Sequence, residues 1–423
     1  MLTRREFIKF VSAGAAAASA YGCASVGGAK PIGKVVVIGG GYSGATAAKY
    51  IRLWAPNVEV TMVERDSQFI SCPLSNLVLG GSRTIESLTV GYGGLGKHGV
   101  KVVQDEVQNV DAAKKQVTLA KGGNLAYDRL IVAPGIDFIY DLVPGLKSVE
   151  AQEKVLHAWK AGPQTVALRK QLEAMPDGGV YALWIQKAPY RCPPGPYERA
   201  CQVAFYFKNH KPKSKVLILD ANPEIVSKKG LFTKVWEERY KGIIEYRPNS
   251  ELEDVDAKTL TAKLTFDSVK ADVLNVVPPH GVGKIARQTG LITANDRWCG
   301  VDFLTYESSV HKGIHVLGDA IVAAPAMPKS GHMANQHAKV CAAAVTALLR
   351  GQPVNASPMQ NNTCYSFVTD KDVIHVASVH KYDAEKKTMV TVEGSGGVSA
   401  APNELEGTYA NSWAQNIWND MLA

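Results

Sequence analysis

Residues 34–44 read KVVVIGGGYSG, and this stretch decides the fold. The β-branched run 34–38 predicts a buried strand of a parallel sheet. The glycines that follow it, Gly39, Gly41 and Gly44, have the spacing G-x-G-x-x-G. In dinucleotide-binding folds the first glycine makes a tight turn, the second lets a pyrophosphate approach the backbone, and the third lets a helix pack closely on the sheet. The stretch therefore predicts a strand, a phosphate-binding turn and a helix.

The segment after these glycines continues the same unit. Residues 45–54 predict a helix, whose N-terminal N–H groups and dipole would face the phosphates. Residues 58–64 predict a second strand, which ends in Glu64. Glu64 lies 20 residues after Gly44, where an acid that binds a ribose hydroxyl is expected. The whole pattern predicts a bound dinucleotide, and a structural turn without a ligand is the alternative.

Residues 3–9, TRREFIK, form a twin-arginine pattern before an alanine-rich stretch. This stretch is shorter than the ~20 residues that span a bilayer, and it is typical of the apolar region of a signal peptide. Twin-arginine signals are export addresses of bacterial proteins. We therefore expect residues 1–29 to be a signal peptide and the protein to be periplasmic. A chance arginine pair before a helix is the alternative.

The composition excludes several classes of protein. The chain has 423 residues, of which 46% are hydrophobic and 20% charged, and this predicts a globular protein of two or three domains. The net charge of +8 is not clustered, so nucleic acid is not an expected partner. No apolar run is long enough for a transmembrane segment. Because zinc-like and C-x-x-C-H spacings do not occur, we expect no metal site, and any haem must lie on a separate chain.

The second half of the chain predicts another Rossmann-like unit that lacks phosphate-binding glycines. Residues 179–185 and 216–220 predict strands, and residues 197–209 predict the helix between them. The connecting turn, 186–196, reads QKAPYRCPPGP. Prolines remove N–H donors, so this turn is a poor cradle for the pyrophosphate of a nicotinamide cofactor. Cys192 lies in the turn just before the helix, a position that lowers the pKa of a thiol; a buried structural cysteine is the alternative.

Two segments resemble flavoproteins that have two dinucleotide-binding domains. They are YDRLIVAPG at 127–135 and GIHVLGDA at 313–320. The resemblance implies that the first site binds FAD, that Asp319 holds the ribityl chain, and that the next helix points its N-terminus at the isoalloxazine. A plain helix cap is the alternative for Asp319.

From residue 34 to residue 418 the chain resembles the flavoprotein subunits of flavocytochrome c sulfide dehydrogenase. The segments that carry this resemblance are SCPLSN at 71–76, RCPPGPYERA at 191–200, MPKSG at 327–331, NTCYS at 362–366 and YANSW at 409–413. It implies an α/β fold like that of the disulfide reductases, with two Rossmann-like domains and a C-terminal α+β interface domain. The implied domains are 30–148 with 285–355 for FAD, 149–284 without an NAD fingerprint, and 356–423 for the interface.

The same resemblance implies the roles of three cysteines. Cys72 would bind FAD covalently through the 8α-methyl group of the flavin, and Cys192 and Cys364 would form a redox disulfide beside it. A small core residue is the alternative for Cys72, and a purely stabilising disulfide is the alternative for the pair. Lys329 could stabilise the reduced, anionic flavin.

The expected chemistry starts from HS⁻, a soft nucleophile that attacks accessible disulfides. Attack leaves a persulfide on Cys192 and a thiolate on Cys364, the electron pair passes to FAD, and a c-type cytochrome subunit then takes electrons singly. Three basic residues could attract HS⁻ to this site: Lys187, Arg191 and Arg199.

Two alternative functions remain at this point. One is a membrane-associated sulfide:quinone oxidoreductase, in which Trp413, Ile417 and Trp418 would form a membrane foot. Few basic residues flank these side chains, so we expect them to pack on the FAD domain instead. The other is a non-enzymatic accessory protein that carries flavin or sulfur.

Overall fold

A computed structural model describes residues 31–423. The predicted signal peptide, residues 1–29, lies outside the described residues. The strands, in chain order, are β1 Gly33–Ile38, β2 Val58–Glu64, β3 Gln68–Ile70, β4 Thr89–Gly91, β5 Val100–Gln104, β6 Val107–Asp111, β7 Gln116–Leu119, β8 Asn124–Ala126, β9 Arg129–Val132, β10 Ile136–Phe138, β11 Val180–Ile185, β12 Lys215–Asp220, β13 Ile244–Arg247, β14 Leu252–Asp256, β15 Thr261–Leu264, β16 Ser268–Lys270, β17 Val273–Val277, β18 His280–Val282, β19 Ile314–Val316, β20 Met359–Phe367, β21 Val373–Asp383, β22 Thr388–Thr391 and β23 Gly397–Val398.

The helices connect and cover these strands. In chain order they are α1 Gly44–Trp54, α2 Asn76–Gly80, α3 Gly93–Lys97, α4 Val149–Lys154, α5 Pro163–Ala174, α6 Gly195–His210, α7 Lys229–Arg239, α8 Lys284–Gln288, α9 Gly331–Leu349 and α10 Glu404–Leu422. Short 3₁₀ helices cover Glu86–Leu88, Tyr140–Leu142, Pro144–Leu146 and Gly318–Ala320.

The first sheet is parallel and has the strand order β19-β9-β1-β2-β5. Its central strand, β1, is buried from Val35 to Ile38, because helices and other segments cover both faces of the sheet. Helix α1 follows β1 directly and packs against α9. Since β19 comes from residues 314–316, this sheet joins two distant parts of the chain.

The second sheet is also parallel, with the order β13-β12-β11-β17. Helices α5, α6 and α7 cover it with a separate apolar core, to which α6 contributes Tyr197 and Phe207 and α7 contributes Phe232. The two parallel sheets with covering helices confirm the predicted α/β class with two Rossmann-like units.

The third sheet is antiparallel and contains β20, β21, β22 and β23. Strand β20 packs on α9 and α6, so this sheet closes over both Rossmann-like units. Helix α10 packs on α1 and β21, and it buries Ile417 and Trp418 in the core of the first unit. This confirms the expected packing of the tail for these two residues, whereas Trp413 is only half-buried.

Helix α10 is also held by polar contacts near its end. Asp420 accepts hydrogen bonds from Tyr50 and, at 2.8 Å, from Asn335 Nδ2, and it forms an ion pair with Lys339 at 3.0 Å. The Trp418 indole donates to Tyr42 at 3.2 Å. Within residues 31–423, a helix that combines the length and the apolar character needed to cross a bilayer is absent.

Candidate active site

One cavity lies at the carboxyl ends of the strands of the first sheet. It is lined by residues that end these strands or follow them within two residues, namely Ile38, Glu64, Asp105, Ala133 and Gly318. Ligands of open α/β sheets bind at this edge, where the loops after the strands diverge. Most of the predicted site residues line the same cavity: Gly39, Gly41, Glu64, Cys72, Cys192, Asp319 and Cys364.

The glycine turn has the geometry that a pyrophosphate requires. Gly39 has φ +98°, and a Cβ there would lie 2.4 Å from the carbonyl oxygen of Ala133. A Cβ on Gly44 would lie 1.8 Å from the carbonyl oxygen of Gly39, so this glycine permits the close helix packing behind the turn. At Gly41, no described atom lies within 4 Å of the Cβ position, and the residue faces the cavity. A phosphate therefore has access to the backbone where the sequence predicts it.

Two residues with carboxyl groups, Glu64 and Asp319, also line the cavity. Glu64 lies at the end of β2 and accepts a hydrogen bond from the Gly40 N–H at 2.6 Å. Asp319 lines the cavity and is half-buried, but its Oδ1 is buried and has no partner within the described part of the chain. Because buried polar atoms are almost always hydrogen-bonded, this oxygen fits a ligand hydroxyl such as those of a ribityl chain. Burial raises the pKa of Asp319.

The helix that follows Asp319 also faces the cavity. Gly331 and His332, at the N-terminus of α9, line it, and Ser330 caps this helix by accepting from the Met333 N–H at 3.0 Å. A helix cap was the alternative role for Asp319, but Ser330 caps this helix instead. The glycine turn, the two acids and this helix N-terminus together fit a flavin dinucleotide.

Cys72 lies at the wall of the same cavity, in the turn between β3 and α2. Its Sγ accepts a hydrogen bond from the Ala161 N–H at 3.4 Å, and the thiol is half-buried. Leu74, two residues on, has φ +72°, which is uncommon for a residue with a side chain and marks a constrained turn. The exposure of Cys72 to the cavity argues against the alternative of a small core residue.

Cys192 and Cys364 come together from distant parts of the chain. The Cys192 N–H donates to the carbonyl oxygen of Lys329 at 2.8 Å. Ser330, the next residue, donates to Asn362 Oδ1 at 2.6 Å, and Asn362 Nδ2 donates to Cys364 Sγ at 3.4 Å. The two cysteines therefore flank the same short loop, and both are free, half-buried thiols.

The electrostatic environment of Cys192 differs from the expectation. Burial raises its pKa, and the neighbouring Cys364 and Glu198 raise it further, against the opposite effect of Arg191 and Lys228. The predicted lowering of the Cys192 pKa by the helix N-terminus is therefore wrong, because the desolvation of the thiolate is the larger effect. Burial also raises the pKa of Cys364, against hydrogen bonding by Asn362 and the charge of Lys228.

The predicted basic residues occupy different places. Arg191 and Arg199 line the cavity, and the Arg191 guanidinium donates to the carbonyl oxygen of Trp159. Lys187 forms an exposed ion pair with Glu251, away from the cavity. Instead, the cavity is lined by a basic residue that the sequence reasoning missed, Lys160.

Lys329 is also placed differently from the prediction. Its ammonium lies 3.8 Å from the centre of the Trp298 ring and donates to the carbonyl oxygens of Asp319, at 2.9 Å, and Ile321, at 2.5 Å. These contacts turn the side chain away from the cavity, and the stabilisation of the reduced flavin by Lys329 stays a prediction. Lys329 instead supports the turn that carries Asp319.

Two buried charged residues beside the cysteines were missed. Glu198, on α6, accepts hydrogen bonds from Asn76 Nδ2 and from the Phe367 N–H, both at 2.8 Å. Burial raises its pKa. Lys228, at the start of α7, is buried behind Cys364. Glu198 lies within the quoted segment 191–200, whereas no local pattern distinguishes Lys228.

Comparison with protein families gives three matches. The family described as "Sulfide dehydrogenase [flavocytochrome c] flavoprotein chain, central" matches residues 165–278, and "Flavocytochrome c sulphide dehydrogenase, flavin-binding" matches residues 356–422. "Pyridine nucleotide-disulphide oxidoreductase" matches residues 33–175.

Among solved structures, the chain is similar to the sulfide:quinone oxidoreductase of Aquifex aeolicus, with a TM-score of 0.75 and 17% identity over 93% of this chain and 92% of that one. Putidaredoxin reductase, in its covalent complex with putidaredoxin, gives a TM-score of 0.65 and 16% identity over 92% and 93% of the two chains. At these identities the similarity establishes the fold alone.

Two relatives are similar in sequence. The mitochondrial sulfide:quinone oxidoreductase of Mus musculus is 23% identical over 306 residues, which cover 68% of this chain and 65% of that protein. The sulfide dehydrogenase flavoprotein chain of Chlorobaculum thiosulfatiphilum is 51% identical over 45 residues, which are 11% of this chain and 94% of that sequence. With the two matching family domains, this relative shows that the chain belongs to the family of flavocytochrome c sulfide dehydrogenase flavoprotein chains.

Proposed function

We propose that the protein is an FAD-dependent sulfide dehydrogenase that donates electrons to a c-type cytochrome. The observation that carries this proposal is the meeting of Cys192 and Cys364 at the cavity that fits the flavin. FAD would be held by the glycine turn, Glu64 and Asp319, with a covalent bond to Cys72. Bound there, FAD supplies a two-electron acceptor that can also donate electrons one at a time.

The protein's own part in the reaction starts with a disulfide between the two cysteines. HS⁻ attacks Cys192 Sγ, the bond to Cys364 breaks, and a persulfide forms on Cys192 while Cys364 leaves as a thiolate. The charge that enters on HS⁻ therefore ends on Cys364, and the sulfide sulfur is oxidised as the disulfide is reduced. Asn362 donates to the Cys364 sulfur, whereas Cys192 lies beside the carboxyl of Glu198. This asymmetry favours Cys364 as the leaving thiolate.

Other residues of the cavity would attract HS⁻ and accept the proton of the persulfide. Arg191 and Lys160 line the cavity and would attract HS⁻. Glu198, buried beside Cys192, would accept the proton of the persulfide at a carboxyl oxygen, which leaves the persulfide on Cys192 as an anion. Its raised pKa suits a carboxyl that exchanges protons rather than staying charged.

Purified protein with sulfide tests the acceptor. We expect rapid reduction of added cytochrome c and at least about tenfold slower reduction of decylubiquinone. Sulfide:quinone oxidoreductase is the second candidate, because relatives and a solved structure bear that name. A faster reaction with the quinone would select this second candidate, and no turnover with either acceptor would favour an accessory protein.

The packing of helix α10 also bears on the choice between a cytochrome and a membrane quinone as the acceptor. Ile417 and Trp418 are buried against the first Rossmann-like unit, and Trp413 lines the cavity. Side chains in these positions are not free to insert into a bilayer, which supports a soluble acceptor.

We also propose export to the periplasm, supported by the twin-arginine pattern at residues 3–9. Cell fractionation tests this, since replacement of Arg4 and Arg5 by lysine should leave the protein in the cytoplasm. Equal export of the parent and the double variant would contradict this route.

A further inference from the structure

Lys228 is a buried cation directly behind one of the two cysteines. It lies at the start of α7 with φ +55°, and 8% of its surface is exposed. Its Nζ donates to Ser366 Oγ at 2.7 Å and to the carbonyl oxygens of Cys364 at 3.0 Å and Ile374 at 3.2 Å. The ammonium is thus fixed against the strand that carries Cys364.

The three acceptors of Lys228 are neutral oxygens, so the charge of the ammonium is not matched by a bonded carboxylate. Burying a cation without a counter-charge is costly. The groups nearby that can become negative are, in order of their effect on Lys228, Cys364, Glu198, Cys192 and Glu406. Burial lowers the pKa of Lys228 to about 8, against the opposite effect of these groups. A negative charge on Cys364 would therefore be stabilised.

Glu198 does not neutralise Lys228 through a direct contact. Its two oxygens are engaged by Asn76 Nδ2 and by the Phe367 N–H. Glu198 raises the pKa of both cysteines: among the charges acting on Cys192 it ranks directly after Cys364, whereas it is the last of the causes acting on Cys364. The ammonium therefore contacts the backbone of Cys364 itself, whereas the carboxyl contacts Phe367, three residues further along the same strand.

We propose that Lys228 is a positioning residue of the cysteine pair, whose ammonium stabilises the thiolate of Cys364 and thereby decides which cysteine leaves when the bond between them opens. The catalytic consequence rests on the proposed function. The stabilisation of the Cys364 thiolate by Lys228 does not depend on that function, because it concerns a single thiol in the reduced protein. Lys228 adds no atoms or electrons to the step, in which HS⁻ gives Cys192 a persulfide and Cys364 a thiolate.

The test measures the thiolate fraction of Cys364 directly. The reduced, flavin-loaded Cys192→Ser protein is alkylated with iodoacetamide between pH 6 and 10, and the Cys364 peptide is quantified by mass spectrometry. Adding Lys228→Met should slow alkylation at pH 7 at least about tenfold, which corresponds to one unit of thiol pKa. The difference in alkylation rate between the proteins with and without Lys228→Met should shrink above pH 8, where Lys228 itself loses its proton. Lys228→Arg should retain most of the rate.

Three controls make the result decisive. Lys229→Met removes the neighbouring lysine, which forms an exposed ion pair with Glu224, and should leave the profile unchanged. Lys228→Gln keeps a donor for Ser366 without the charge, so it covers the case in which Lys228→Met does not fold. Circular dichroism and flavin content report folding. An alkylation profile that coincides with that of the parent in the folded neutral variants would overturn the proposal.

The two proposals fail separately. If Lys228→Met slows alkylation but sulfide does not reduce the wild-type protein, the role of Lys228 stands and the proposed function fails. If sulfide reduces the wild-type protein but the alkylation profiles coincide, the function stands and the role of Lys228 is wrong.

Discussion

The Cys364→Ser variant is expected to stay yellow and to lose at least about 10³-fold in the rate at which sulfide bleaches its flavin. A serine hydroxyl cannot form a disulfide with Cys192, so HS⁻ finds no sulfur–sulfur bond to attack. Flavin binding should persist, because the glycine turn and Asp319 lie in the first Rossmann-like unit. Stopped-flow absorbance under anaerobic conditions measures the bleaching rate.

The Cys192→Ser variant should behave in the same way, and the double variant should be no slower than either single variant, since the two cysteines act as one unit. Cys201→Ala is the matched control. It removes a buried thiol on α6 that faces the Trp236 indole, and it should bleach at close to the wild-type rate. Wild-type bleaching in either serine variant would contradict the proposed mechanism.

The Cys72→Ser variant is expected to release its flavin on acid precipitation, whereas the wild-type polypeptide should precipitate yellow. Serine cannot form the thioether that we propose between Cys72 and the flavin. Before precipitation the variant should still bind flavin, because Gly41 and Asp319 remain available. The absorbance of the pellet and of the supernatant near 450 nm, a typical flavin band, measures the partition.

Cys192→Ser controls for the loss of any cavity cysteine and should keep its flavin in the pellet. Two results would contradict the covalent link to Cys72. One is wild-type flavin that leaves with the supernatant, and the other is Cys72→Ser flavin that remains with the polypeptide.

The local part of the fold could be predicted because its causes are local. The run 34–38, the glycine turn and the strand that ends in Glu64 each follow from side-chain pattern and backbone geometry within a few residues. The predicted strand 58–64 has the same bounds in the structure. The predicted helix 45–54 begins one residue earlier, at Gly44.

The charges around the cysteines depend on contacts that the sequence does not display. Lys228 binds the carbonyl oxygen of Cys364 across 136 residues of chain, and nothing next to Lys228 indicates this partner. Lys329 precedes the helix that faces the cavity, but the carbonyl oxygens of Asp319 and Ile321 and the ring of Trp298 bind its ammonium. For Cys192, the helix N-terminus was visible in the sequence, while the burial that raises its pKa was not.

The most direct test of the central claim is a peptide map of the air-oxidised protein before and after one equivalent of sulfide without oxygen. Before sulfide, we predict that the peptides containing Cys192 and Cys364 are joined. After sulfide and rapid alkylation, the Cys192 peptide should carry one extra sulfur atom, and the Cys364 peptide should carry the alkyl group alone. Unjoined peptides in the oxidised protein, or no extra sulfur on either cysteine, would contradict the account.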